Sequence, residues 1–397
     1  MKKIILIIVS FFAVISFPKA LQMPVELESE SATVMHFETK YIMYEKESNK
    51  KQIMASLTKI MTTYTALNLI TNLDEQITIT EEDLFNLDGY ACVGLKVGDI
   101  VTYKDLLYGT MLKSGADASQ ALANHITNQT DFINQMNNNA KKLNLINTTF
   151  VDSYGRSDEN ISTSNEIAML LNEALKNDLF KEIFTSNNYT LTNGITIENK
   201  LKNTITNLGL NSNYIRGTKP GYTNNAGLLL ASLSTINGKD YIIITCKTHK
   251  EHAQIFDTYK IIEYLKKGNY EERTLFKKGD TIKSIDVDNS SISEYVVTIN
   301  EDVKKVLSDE EYKNIKYDYH ITNIITPDNK VDDDLGYMNI LINDEIIYTY
   351  NVTLNHKINE YKEGSKAIYI LIVILIILAI IILCTNILSK NKIQKKR

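Results

Sequence analysis

Ser56-Leu57-Thr58-Lys59 stands at the head of a run in which Leu57, Ile60, Met61, Tyr64, Leu67 and Ile70 recur at three- and four-residue intervals. That is the period of a helix with one buried face, so this part of the chain must pack as a core helix. Residues at i and i+3 project one above the other, which sets the Lys59 amine beside the Ser56 hydroxyl. A neutral amine there can take the hydroxyl proton and leave an alkoxide-like nucleophile. Ser-x-x-Lys also arises by chance, most often as a helix N-cap with a solvated lysine, so context decides. That context is Ser114-Gly115-Ala116, lying between two helical patterns, and Lys219-Pro220-Gly221, lying before two apolar runs.

In this order and setting the three stretches resemble those of the low-molecular-mass penicillin-binding proteins, the D-alanyl-D-alanine carboxypeptidases. Residues 95–150 follow that family nearly phrase by phrase, and so does Tyr154-Gly155 followed by Ser162-Thr163. The likeness covers residues 30–355. It implies an α/β fold: a transpeptidase/β-lactamase-like catalytic domain with a central antiparallel sheet, helices and a helical subdomain, then a β-rich C-terminal domain and a transmembrane helix.

The resemblance also implies roles. Ser56 would attack the carbonyl between the two terminal D-alanines of a peptidoglycan stem pentapeptide, with Lys59 as base and Ser114 relaying protons. Lys219, Gly221 and Tyr222 would bind substrate, and the backbone N–H groups of Ser56 and Tyr222 would form the oxyanion hole. Burial among cations such as Lys219 would lower the Lys59 pKa. β-Lactams would be covalent inhibitors, and neither a cofactor nor a metal is expected. Two positions depart from the family pattern, which has asparagine where Ala116 stands and threonine where Pro220 stands. They motivate an alternative, a catalytically weakened penicillin-binding or wall-sensing protein. A β-lactamase is disfavoured, because no glutamate is placed for rapid deacylation.

A net charge of -5 over 397 residues supplies no basic field for nucleic acid. Cys92, Cys246 and Cys384 are too few and too isolated for a disulfide framework or a zinc site, and they read as small buried hydrophobes. His249 and His252 make the single close histidine pair, at a charged helix start, which is a poor metal site.

Residues 1–20 carry the charged start, short apolar core and small residue of a secretory signal peptide. Residues 21–268 form the expected catalytic domain and 269–358 the β-rich domain, where alternating β-formers replace helical periods. Residues 366–388 are apolar for the length that crosses a bilayer, and the basic tail 389–397 marks the cytoplasmic side. The catalytic domain is therefore expected on the extracytoplasmic face of the cell membrane. Within it, Thr102 and Asp105 have the spacing of a helix cap, and a glycine lets the chain turn at Ser114-Gly115. Strands are expected over 188–207, and Asn237-Gly238 signals a hairpin. Strand alternation puts Arg216 on the face opposite Lys219.

Overall fold

The computed structural model describes residues 25–360 and 366–394; the expected signal segment lies outside the described residues. The chain forms two compact units. Among the described residues one holds 25–273 together with 304–314, and the other holds 274–303 and those from 315 onward.

The first unit is built on an antiparallel sheet. Strands β1 (Ser31–His36) and β2 (Ile42–Lys46) come first. A single 3-10 turn, Ala55–Leu57, then leads into helix α1 (Thr58–Leu69). Helices α2 (Tyr103–Leu112), α3 (Ala116–Ile126), α4 (Gln129–Lys142) and α5 (Ser164–Ala174) follow. Strands β3 (Ile215–Thr223), β4 (Gly227–Ile236) and β5 (Lys239–Thr248) complete the sheet before helix α6 (Ala253–Leu265). The strand order is β2-β1-β5-β4-β3, which leaves β3 on an edge.

Alternation along the strands divides the core in two. Leu229, Ala231, Leu233, Ile242, Ile244 and Cys246 face the helical layer of α1 to α5. Leu230, Tyr241 and Ile243 face α6, through Ile255, Tyr259 and Ile262. α1 is sequestered on nearly all sides, because its threonines as well as its apolar residues are buried. Thr62 Oγ1 satisfies itself by donating to the Ser153 carbonyl at 2.5 Å.

The caps follow the residues. Thr102 and Asp105 form a reciprocal capping box at the start of α2. Thr163 Oγ1 accepts from Glu166 N, while the Glu166 carboxylate turns away to take Asn147 N and Asn147 Nδ2. Asn237, at φ 51°, and Gly238 turn the β4–β5 hairpin. Residues 188–207 depart from expectation: Asn188–Thr190 and Thr196–Glu198 are strands, but Leu201–Asn207 is a helix that buries only Ile205.

Residues 304–314 belong to the first unit although the sequence around them reads as β-rich. Val306 joins the α6-side core, and Ser308 with Glu311 caps a short helix by a second reciprocal box. In the other unit, β6 (Thr281–Val287) pairs with β7 (Glu294–Thr298). There β8 (Ile315–Ile321), β9 (Asp334–Ile342) and β10 (Glu345–Thr353) form an antiparallel sheet, with Met338, Ile340 and Ile342 buried at alternate positions.

Helix α7 runs over Lys366–Gln394. Its described side chains, Tyr369 to Leu383, are exposed and apolar apart from the tyrosine hydroxyl. Among the residues whose side chains are described, no helix is long and apolar enough to cross a membrane.

Candidate active site

Ser56 lies in the 3-10 turn before α1, and the Lys59 amine comes 3.2 Å from its hydroxyl. Ala55 adopts φ 44°, a left-handed conformation that a residue with a Cβ enters at a cost of about 1 kcal/mol or more. Strain of this size is held by the packing around it: Met54, Ala55 and Leu57 are fully buried.

A second left-handed residue sits across the cleft. Ser114, at φ 57°, follows the end of α2, and Gly115 has an ordinary φ of -62°. The turn therefore depends on Ser114 for its handedness. Gly115 is required for space, since a Cβ there would meet Val93 Cγ2 at 2.8 Å and the Gly109 carbonyl oxygen at 3.0 Å. Lys219, on β3, donates to Ser114 Oγ at 2.8 Å. The structure thus gathers Ser56 with Lys59 and Ser114 with Lys219.

Two backbones close on the Ser56 nitrogen. A Cβ at Gly221 would stand 3.4 Å from Ser56 N, which places β3 against the nucleophile. A Cβ at Gly155 would lie 3.0 Å from Ser56 N and only 1.8 Å from the Ala55 carbonyl oxygen, and φ there is +83°. Glycine is needed at 155 on both counts. Tyr222 follows Gly221 with its ring exposed and its hydroxyl donating to Asn224 at 2.9 Å.

The loop holding Gly155 also supplies what the sequence reading missed. Lys59 Nζ donates to the Tyr154 carbonyl at 2.5 Å. The Asp152 carboxylate fixes that carbonyl in place by accepting from the backbone N–H groups of Tyr154, Gly155, Arg156 and Ser157, at 2.9, 2.6, 3.2 and 2.7 Å. Asp117 does the same for residues 93–95, accepting from Val93, Gly94 and Leu95.

Burial brings the Lys59 amine down to about 7, against the opposing pull of Asp152, Cys92 and Asp117. Desolvation is the cause, so the expected burial lowers it as anticipated, while Lys219 is not among the groups that shift it. The Lys219 amine is itself well below the usual lysine range, through burial and then through Lys59. A neutral Lys59 has two N–H groups and a lone pair. With one N–H on the Tyr154 carbonyl, the lone pair is available for the Ser56 proton.

The two departures have different surroundings. Ala116 is 1 % exposed and packs in a small apolar cluster with Leu87, Tyr154, Tyr90 and Cys92. Cys92 is accordingly only half-buried, unlike the fully buried Cys246. Pro220 is half-buried on the edge strand, where a missing N–H breaks no ladder bond if it points outward. Arg216 is exposed and pairs with Asp240 at 3.7 Å, away from Lys219. Among the described residues no group of His, Cys, Asp and Glu could hold a metal.

A serine hydroxyl 3.2 Å from a buried lysine amine, with a second serine–lysine pair on a sheet edge, is the arrangement expected of a penicillin-recognising acyltransferase. Residues 18–249 match the S11 peptidase family, described as D-alanyl-D-alanine carboxypeptidase, and the chain belongs to that family. Residues 270–360 match the C-terminal domain of penicillin-binding protein 5. A D-alanyl-D-alanine carboxypeptidase of Streptomyces sp. (strain K15) is 33% identical over 243 residues, 56% of this chain and 81% of that protein. Another, from Bacillus subtilis (strain 168), is 29% identical over 279 residues, 66% of this chain and 67% of its own. Among solved structures, a D-alanyl-D-alanine carboxypeptidase from Francisella tularensis shares the fold with a TM-score of 0.67 at 22% identity, over 85% of this chain and 95% of that one. The Streptomyces K15 DD-transpeptidase gives 0.55 at 28% identity, over 61% of this chain and 98% of its own.

Proposed function

We propose that the protein is a serine D-Ala-D-Ala carboxypeptidase that removes the terminal D-alanine from peptidoglycan stem peptides. Ser56 Oγ attacks the carbonyl between the two D-alanines while Lys59 Nζ accepts its proton. The N–H groups of Ser56 and Tyr222 take the developing oxyanion, which suits the approach of Gly221 to the Ser56 nitrogen. The pair Ser114–Lys219 delivers a proton to the leaving amine nitrogen, D-alanine departs, and water hydrolyses the Ser56 ester. β-Lactams acylate the same oxygen.

The observation that carries this reading is the Lys59 amine, enclosed and held by one backbone carbonyl, 3.2 Å from the serine hydroxyl. A second reading, a penicillin-binding sensor of the wall, is favoured by the apolar enclosure of Ala116. Fluorescent penicillin labelling together with D-alanine release from a pentapeptide separates the two. Stable labelling with turnover supports the enzyme, and stable labelling without turnover supports the sensor. Rapid loss of label with drug hydrolysis would instead identify a β-lactamase.

The protein is further proposed to be exported and anchored by α7, with the catalytic unit on the extracytoplasmic face. Support comes from the apolar run over 367–383 and the basic residues Lys390, Lys392, Lys395, Lys396 and Arg397 after it. Removing residues 366–397 is expected to move the protein from the detergent-extracted to the soluble fraction without loss of labelling. Retention in the membrane fraction would count against the anchor.

A further inference from the structure

Arg156 follows Gly155, the residue whose backbone lies against the Ala55 carbonyl and the Ser56 nitrogen. Its Cα is therefore one peptide unit, about 3.8 Å, from the glycine that abuts the nucleophile. The side chain is exposed. The guanidinium lies 5.9 Å from the centroid of the Tyr90 ring, and Tyr90 meets Tyr154 edge-on at 5.7 Å. Arg156 Nη1 donates to the Asn86 carbonyl oxygen at 3.3 Å. With the Asn86 amide turned to face it, the amide oxygen accepts from Nη2 at 2.9 Å and Nη1 at 2.5 Å.

The segment carrying Asn86 and Tyr90 is fastened to α3. Ala116 N donates to the Ala91 carbonyl at 2.7 Å, and Val93 N donates to Asp117. The guanidinium thus rests on an aromatic shelf whose position relative to Ser114 is set. Its contacts are with neutral groups. Among the described residues no carboxylate forms an ion pair with it. Asp152 is turned inward onto backbone N–H groups, and Asp158 accepts from Asn225 at 2.5 Å. The Tyr154 and Tyr90 hydroxyls also hydrogen-bond the guanidinium, and like Asn86 they are neutral partners that a carboxylate can outcompete for its N–H groups.

We propose that Arg156 is a specificity-determining residue that binds a free carboxylate of the stem peptide upstream of the scissile D-Ala–D-Ala bond. This rests on the carboxypeptidase reading. Arginine suits the role because its planar donors match a carboxylate two at a time, and the Tyr90 face keeps the plane oriented. Two carboxylates could serve: the side-chain acid of a diamino diacid at the third position, or the α-carboxylate of a γ-linked glutamate. Both are lost when amidated.

The test is kcat/KM on three pentapeptides: one with both acids free, one amidated at the third residue and one amidated at the glutamate. The protein is expected to favour the free acid about tenfold at one of these positions, as a charge-assisted hydrogen bond provides. In Arg156→Gln the acid and amide peptides should be cleaved within about twofold of each other, with Arg156→Lys in between. Added salt should shrink the preference. Indifference of the parent protein to both amidations overturns the proposal. So does a variant that loses acid and amide peptides by the same factor, since Arg156 would then only brace residues 86–92.

Should no pentapeptide be turned over, the carboxypeptidase reading fails while the test of Arg156 continues. Acylation rates are then compared for a penicillin bearing a side-chain carboxylate and one with an uncharged side chain. A preference for the acid that Arg156→Gln abolishes supports the site, and its absence in the parent overturns it.

Discussion

The acylating corner and the β3 edge converge on the same nitrogen of Ser56 but are built differently. At the corner the Lys59 amine is buried and held by a backbone carbonyl, which Asp152 in turn holds through four backbone N–H groups. At the edge, Pro220 is half-buried, Tyr222 is exposed, and the hydroxyl that the family pattern places at 220 is gone. The difference teaches that the proposed proton transfer would depend on enclosure, which tolerates little change. Recognition is left to a rim that faces solvent, where substitutions are cheaper.

The largest effects should come from the corner. Ser56→Ala is expected to abolish penicillin labelling while the melting temperature stays within a degree or two. Lys59→Met should lower the acylation rate by about a thousandfold or more, as loss of a positioned base does. Full labelling of either variant would remove that residue from the chemistry. Gly155→Ala should follow, with acylation reduced about a hundredfold, because the new Cβ pushes the loop off Ala55 and displaces the Tyr154 carbonyl. Normal acylation by that variant would mean the corner is looser than its contacts indicate.

The edge and the α3 wall give smaller effects of opposite sign. Pro220→Thr should raise peptide turnover about tenfold, since about 1.4 kcal/mol regained in the transition state is a factor of ten. Ala116→Asn should lower it, because the amide would enter a full apolar cluster of Leu87, Tyr154 and Cys92. Overpacking of this kind costs about 1 to 3 kcal/mol. Equal responses to the two substitutions, read by kcat/KM, would erase the contrast between a simple loss and a rebuilt position.

The mildest test is pH. With Lys59 at about 7, acylation should rise about tenfold per unit below that value and level off above it. Folding stability should also rise with pH, but in the window above 7 where acylation has levelled off. The unfolded chain holds its lysine proton up to about 10.4, whereas the folded chain releases it near 7. Between these values the unfolded state binds more protons, and stability grows as pH rises. Thermal melts from pH 7 to pH 9 should show that slope, and Lys59→Met should flatten it. An unchanged slope in the variant would assign it to Lys219 or elsewhere.

Much of this was legible from side-chain types. The α1 period put Ser56 beside Lys59, and the Thr102 and Asp105 spacing marked a helix start. The Tyr154 carbonyl was not legible, since any residue offers the same backbone oxygen and only the fold says which one meets an amine. Cys92 read as a buried bystander because its isolation in sequence hid its closeness to Ala116. At Ser114-Gly115 the glycine was seen, but as a source of backbone freedom, whereas the structure needs it for clearance. Leu201–Asn207 is helical without a helical pattern, its one buried residue being Ile205.

Residues 304–314 bear on how this protein can be taken apart. A gene shortened after residue 268 would look like a clean excision by sequence, yet it would remove Val306 from the α6-side core along with the capped turn at Ser308. The surface left behind would include Leu265 and Tyr259, greasy and newly wet. The catalytic unit is thus discontinuous in the chain, and neither a nuclease nor a protease can free it whole with a single cut.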